Sequence, residues 1–317
     1  MLWFFFLLFR FSNPMNATRT NQHFQLFNTI PWMVVYICEA TVILTENLIT
    51  AYIFWNIRRR LRRASYLLIN LAVADFTVGI ALIFWLWDGI AAMKGRHLSY
   101  SVGEKIVIFD VTVVVASLLS LALISLERMC AILWPFRHRL SRKWYYVTSV
   151  GSVWTLAILN GVANINFNEQ FSLFTVISSI TSVVVVSVAY FAIWIKTRRH
   201  NLPGKTSRSQ EHDRRLAKTL CIVTGLSILF CLPSGITLAL NNYTQNIHSF
   251  GFQITIVALY ANSFLNPIVY CFKMPEFKQA LGKLFCRYFG NRLNFQEKSL
   301  GVTNGVFLRS IEAVEVL

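Results

Sequence analysis

The stretch Asp110-Val-Thr-Val-Val-Val-Ala-Ser117-Leu-Leu-Ser-Leu-Ala-Leu-Ile-Ser-Leu-Glu127-Arg128 decides the fold. Apart from Thr, Ser and Ala it is an apolar run, with an acid at one end and a Glu-Arg pair at the other. At about 3.6 residues per turn, Asp110 and Arg128 are about five turns apart, so both side chains leave the same helix face about 27 Å from each other. A hydrocarbon core is about 30 Å thick, so a helix here holds an acid near one membrane surface and a base near the other. Ser117 lies on the same stripe, close to two turns below Asp110. The pattern predicts a membrane helix whose polar stripe faces inward, away from lipid.

The rest of the chain has a composition to match. Of its 317 residues 55% are hydrophobic and 14% charged, with 26 Phe and 9 Trp, and its mean hydropathy is +0.52. Soluble domains rarely have this profile. It excludes a soluble enzyme, and no nucleophile, base and oxyanion set is visible; the six histidines are scattered. The net charge of +16 comes from short basic blocks between apolar runs, a topology signal and not a nucleic-acid footprint. Six cysteines without paired spacing indicate neither a zinc site nor a disulfide framework.

Seven segments have the length and apolarity of spanning helices, about 31–57, 65–88, 101–133, 145–164, 171–197, 212–240 and 250–272. The expected organisation is all-α: an extracellular N-terminus over 1–30, a seven-helix membrane domain over 31–273, an amphipathic eighth helix over 274–288 and a cytoplasmic tail over 289–317. Residues 1–11 are apolar but too short to span and lack a basic start, whereas Met15 opens a polar segment. This leaves open whether residues 1–14 are a signal peptide, a misassigned start or part of the N-terminus. Arg58, Arg59, Arg60, Arg62 and Arg63 mark the first loop as cytoplasmic. Arg137, Arg139, Arg142 and Lys143 mark the third, and Lys196, Arg198, Arg199, Lys205 and Arg208 the fifth. Asn16-Ala17-Thr18 and Asn242-Tyr243-Thr244 then face outward as glycan acceptor patterns on Asn16 and Asn242.

An ionisable group inside the membrane costs a few kcal/mol even on gentle scales, so Glu39, Glu46, Asp75, Asp110 and the Glu127-Arg128 pair are functional candidates. Asn47, Ser117, Asn262, Ser263 and Asn266 fall near the depth of Asp75, a set of oxygens suited to a small cation or a water network. Pro233 and Pro267 each remove a helix hydrogen bond, and polar neighbours can take up the freed carbonyl.

Taken in order, these residues resemble the rhodopsin-like (class A) G-protein-coupled receptors. The matching motifs are Asn47, Leu71-Ala72-Val73-Ala74-Asp75, Glu127-Arg128-Met129, Trp154, Pro233 and Asn266-Pro267-Ile268-Val269-Tyr270, over about residues 30 to 288. The resemblance implies that Arg128 pairs with Glu127 and, at rest, with Asp213, and that breaking the latter pair lets the sixth helix swing outward. It implies a sodium site of Asp75, Ser117, Asn262, Ser263 and Asn266, an inward move of Tyr270 on activation, and Phe136 as an apolar plug into the G protein. Arrestin and receptor kinases are implied as further partners. The tail resembles the family's membrane-lying eighth helix, with Phe277 on its apolar face and Cys286 as a palmitoylation candidate.

A narrower resemblance, to the biogenic-amine receptors, rests on Asp110 as counter-ion for an ammonium, Tyr260 as its orienting tyrosine, and Ser178, Ser179 and Ser182 as hydroxyl partners. An amine is therefore the favoured ligand, with a peptide, lipid or nucleoside as the alternative. Departures stand beside it. Cys231, Ser234 and Gly235 replace the aromatics flanking Leu232-Pro233, and Gly103 stands where the family's outer disulfide begins. Val186, Trp194 and Met129 replace a proline and two tyrosines. A secondary transporter using Glu39, Glu46, Asp75 and Asp110 as relay groups is the rival from another class; it does not account for the Glu-Arg and Asn-Pro-x-x-Tyr motifs occurring together.

Overall fold

The computed structural model describes residues 19–61, 64–96, 99–140, 142–166, 172–199, 218–219, 221–223, 225–227, 229–230 and 250–300. Helices take up nearly all of them: α1 (Arg19–Leu61), α2 (Ala64–Met93), α3 (Tyr100–Leu133), a short loop helix α4 (Pro135–Leu140), α5 (Lys143–Asn166), α6 (Ser172–Arg199), α7 (Phe250–Lys273) and α8 (Pro275–Leu300). The described part of the sixth segment, within 218–230, is also helical. Six of these helices, α1, α2, α3, α5, α6 and α7, are long and apolar enough to cross a bilayer.

Residues on the outside of the bundle are apolar because lipid is their solvent. Leu48 and Trp55 on α1, Leu156 on α5, and Ile180, Val188 and Phe191 on α6 are all exposed. Lipid tails are as apolar as leucine, so helix association rests on close packing and interhelical hydrogen bonds. The buried seams accordingly carry small residues, Ala40, Ala74, Ala81, Ala116, Ala157 and Ala189. At Gly161 on α5 a methyl group would run into Thr112 Oγ1 and stand 2.7 Å from the Ile108 carbonyl oxygen. Only a glycine lets α5 approach α3 this closely.

Helix α3 sits at the centre and packs on α2, α5 and α6, while α7 closes against α1 and α2. Two apolar clusters stack along the bundle. The outer one gathers Tyr36, Trp85, Val107, Val111 and Tyr260; the inner one gathers Phe54, Leu68, Ile124, Tyr270 and Phe277. Polar seams cross between them. Asn70 on α2 donates to Ser120 Oγ on α3 at 2.8 Å and accepts from the Trp154 indole of α5 at 2.9 Å, tying three helices at one depth.

The helices run beyond several expected bounds. Helix α1 starts at Arg19, inside the segment assigned to the N-terminus, and α8 runs to Leu300, past residue 288. Hydropathy marks where a helix is apolar, not where it ends. The Arg, Leu, Gln, Glu and Lys residues after position 288 are good helix formers.

Candidate functional site

Along the inward stripe of α3 the structure places three polar groups. At the outer end Asp110 is fully buried, and the Tyr260 hydroxyl of α7 lies 3.3 Å from both of its carboxylate oxygens. The Trp85 indole of α2 flanks the same carboxylate. Further out, Tyr36 of α1 donates to Gln253 Oε1 of α7 at 2.6 Å. Among the described residues the buried cation is Arg128, at the opposite end of the bundle. The described outer site therefore presents a buried carboxylate with no buried base beside it, and a cation entering there would meet it across low-dielectric walls.

The three serines of α6 are engaged. Ser179 donates to the Thr175 carbonyl and Ser182 to that of Ser178, each at 2.8 Å, while Ser178 Oγ accepts from Asn160 of α5 at 2.7 Å. Such bonds to the preceding turn are the usual way a helix satisfies a buried hydroxyl. Nothing in this geometry joins these serines to Asp110.

At mid-depth the buried Asp75 carboxylate accepts from Ser117 Oγ at 2.6 Å and from Asn266 Nδ2 at 2.7 Å. Asn47 Nδ2 donates at 3.0 Å to the Ser263 carbonyl, the group that Pro267 deprives of its helix partner. Asn262, one turn before Asn266, buries an Oδ1 that has no hydrogen-bond partner among the described residues. This set of carboxylate, hydroxyl and amide oxygens, one of them an orphaned acceptor, fits a small hard cation such as sodium.

At the inner end Arg128 is buried and pairs with Glu127. The other oxygen of Glu127 is held by His138 Nε2 of α4 at 2.9 Å and by the Tyr146 hydroxyl of α5 at 3.3 Å. Tyr270 stacks edge-on against Phe54, with ring centroids 5.3 Å apart, and tilts against Phe277 at 5.9 Å. Its hydroxyl is buried without a hydrogen-bond partner among the described residues. Phe136 on the loop helix is exposed, as is Cys286 on α8, while Phe277 is buried between α8 and the bundle. Asp213, Pro233, Asn16 and Asn242 lie outside the described residues.

Several contributors escape the sequence. Tyr36, Gln253, Trp85, His138 and Tyr146 sit in no motif and follow no period that separates them from lipid-facing neighbours. Asn70 and Trp154 stand in recognisable motifs, but their bond to each other spans 84 residues.

The family model described as "7 transmembrane receptor (rhodopsin family)" matches residues 46–173 and 164–270. Sphingosine 1-phosphate receptor 3 of Takifugu rubripes is 24% identical over 278 residues, which cover 81% of this chain and 71% of that protein. Lysophosphatidic acid receptor 3 of Rattus norvegicus is 26% identical over 285 residues, covering 80% and 79%. The crystal structure of squid rhodopsin shares the fold with a TM-score of 0.70 at 15% identity, over 81% of this chain and 86% of that one. Both curated relatives are named for lysophospholipids and not for amines, so the narrower amine resemblance rests on Asp110, Tyr260 and the serines alone. The chain belongs to the rhodopsin family of seven-transmembrane receptors and is a multi-pass membrane receptor of the class A G-protein-coupled type.

Proposed function

We propose that this receptor responds to an amphipathic, lipid-class ligand whose polar head carries a cation paired with Asp110. It passes the signal to a heterotrimeric G protein by outward movement of the sixth segment. The observation that carries the ligand assignment is the buried Asp110 carboxylate, held by Tyr260 in an outer half whose described buried residues include no base. A cation entering there meets a preformed counter-charge, whereas a phosphate meets repulsion. The lipid class is supported by the relatives named for lysophospholipids. A small aryl amine is the second reading, supported by the Asp110–Tyr260 pair. The serines argue against it, since their hydroxyls are bonded within α6 and to Asn160.

At mid-depth Asp75, Ser117, Asn262, Ser263 and Asn266 would hold a sodium ion in the resting receptor, and the ion would supply the positive charge that the buried carboxylate lacks. Ser117 and Asn266 orient the two carboxylate oxygens. At the inner end Glu127 holds Arg128 until the cytoplasmic cleft opens, and the exposed Phe136 supplies an apolar contact for the G protein.

The test is G-protein activation in cells expressing the receptor, with single-chain amphiphiles bearing a choline or amine head, the same chains bearing a phosphate head, and small aryl amines. The cationic amphiphiles should act at the lowest concentration. Asp110→Asn should weaken them on the order of 30-fold or more, the effect of removing one partner of a buried charge pair. A stronger response to phosphate heads, or one indifferent to Asp110→Asn, overturns the assignment.

A further inference from the structure

The outer half holds a second buried carboxylate. Glu39 on α1 is only 6% exposed, and neither of its oxygens has a hydrogen-bond partner among the described residues. Burying such a group without compensation costs several kcal/mol.

Its position follows from two contacts. Tyr36 meets Gln253, and Asn47 meets the Ser263 carbonyl. These contacts are eleven residues apart on α1 and ten apart on α7, so the two helices run parallel and in step. Glu39 lies one turn inward from Tyr36, about 4.5 Å along the axis, and Tyr260 lies two turns inward from Gln253, about 10.5 Å. Glu39 therefore sits about 6 Å nearer the outside than the tyrosine that holds Asp110. Tyr36, Tyr260 and Trp85 belong to one apolar cluster, and Glu39 is within electrostatic reach of both tyrosines.

We infer that Glu39 is a second anionic anchor of the outer site, and that the ligand carries two cationic centres, one at Asp110 and one further out at Glu39. This deepens the assignment of a cationic head and rests on it. A ligand with one cation leaves Glu39 buried and unpaired; a diamine head satisfies both carboxylates. The separation along the bundle selects a spacing between the two nitrogens.

The experiment compares N-alkyl diamines of increasing nitrogen-to-nitrogen spacing with monoamines in which a methyl group replaces the outer nitrogen. Readouts are G-protein activation in cells expressing the full chain and thermal shift of the purified receptor. On the unmodified receptor the best-spaced diamine should exceed its monoamine match by about tenfold or more, as expected when a buried charge gains its partner. Glu39→Gln, which keeps the size and polarity of the side chain, should erase that advantage, bringing the diamine to the potency of its monoamine match on the same variant. Equal potency of diamine and monoamine on the unmodified receptor overturns the inference without need of any variant. So does a diamine advantage that survives Glu39→Gln. If Asp110→Asn weakens both compounds, the parent assignment stands whatever Glu39 does. If it weakens neither, the pairing at Asp110 fails and the second anchor fails with it.

Discussion

Gly161 shows how much one missing methyl group matters when lipid surrounds the bundle. With no hydrophobic drive between helices in lipid, the α3–α5 seam depends on backbone approach. An alanine here places carbon against Thr112 Oγ1 and the Ile108 carbonyl, at distances no relaxed contact tolerates. The Ile108 oxygen belongs to the backbone of α3, so the helices must separate. Gly161→Ala should therefore lower thermal stability by about 1–3 kcal/mol, the usual cost of overpacking, read as a fall in the melting temperature of the purified receptor. Gly151, on the same helix, has nothing within 4 Å of the place a methyl group would occupy. There the same substitution should be neutral or slightly stabilising, because alanine is the better helix former. Equal effects at the two glycines would show that α5 is not held by close approach.

The spanning helices were legible in the sequence because a bilayer needs a long apolar run, and the Asp110–Arg128 stripe was legible because helical period places its members on one face. Their partners were not. Whether Tyr260 meets Asp110, or Asn266 meets Asp75, depends on how helices 150 and 191 residues apart are rotated against each other; only resemblance to known receptors supplied those pairs. Glu39 was visible as an anomaly, but its lack of partners could be known only once α7 was placed beside α1. Asn47 gives the element-scale test. Its amide caps the Ser263 carbonyl that Pro267 leaves without a donor, so a residue on α1 completes the hydrogen bonding of α7. Asn47→Ala orphans that buried carbonyl, with an expected loss of about 1–3 kcal/mol. Restoring a helix donor with Pro267→Ala in the same chain should recover much of it. A double variant no more stable than Asn47→Ala alone would mean that the two residues are not coupled through this carbonyl.

Across the whole molecule the two ends of the bundle are unequal. Among the described residues the outer end holds carboxylates suited to a cation, while the inner end holds a paired arginine and an aromatic stack of Phe54, Tyr270 and Phe277. Within that stack the Tyr270 hydroxyl is the misfit, buried with no hydrogen-bond partner among the described residues, at a typical cost of about 1–3 kcal/mol. We take this arrangement as the closed, resting form; a group so poorly served in it favours any arrangement in which it finds a donor, acceptor or water, so the hydroxyl should bias the receptor toward opening. Tyr270→Phe removes the penalty and keeps the ring. The closed form should then gain stability relative to the open one, since a change in the difference between two states shifts their populations whatever the absolute stability. The melting temperature of the ligand-free receptor should hold or rise, while maximal G-protein activation by a saturating agonist should fall. A variant that melts earlier would show that the hydroxyl is satisfied in the closed form. A variant that signals at full strength would show that Tyr270 acts through its ring alone, and that opening the inner end draws on some other contact.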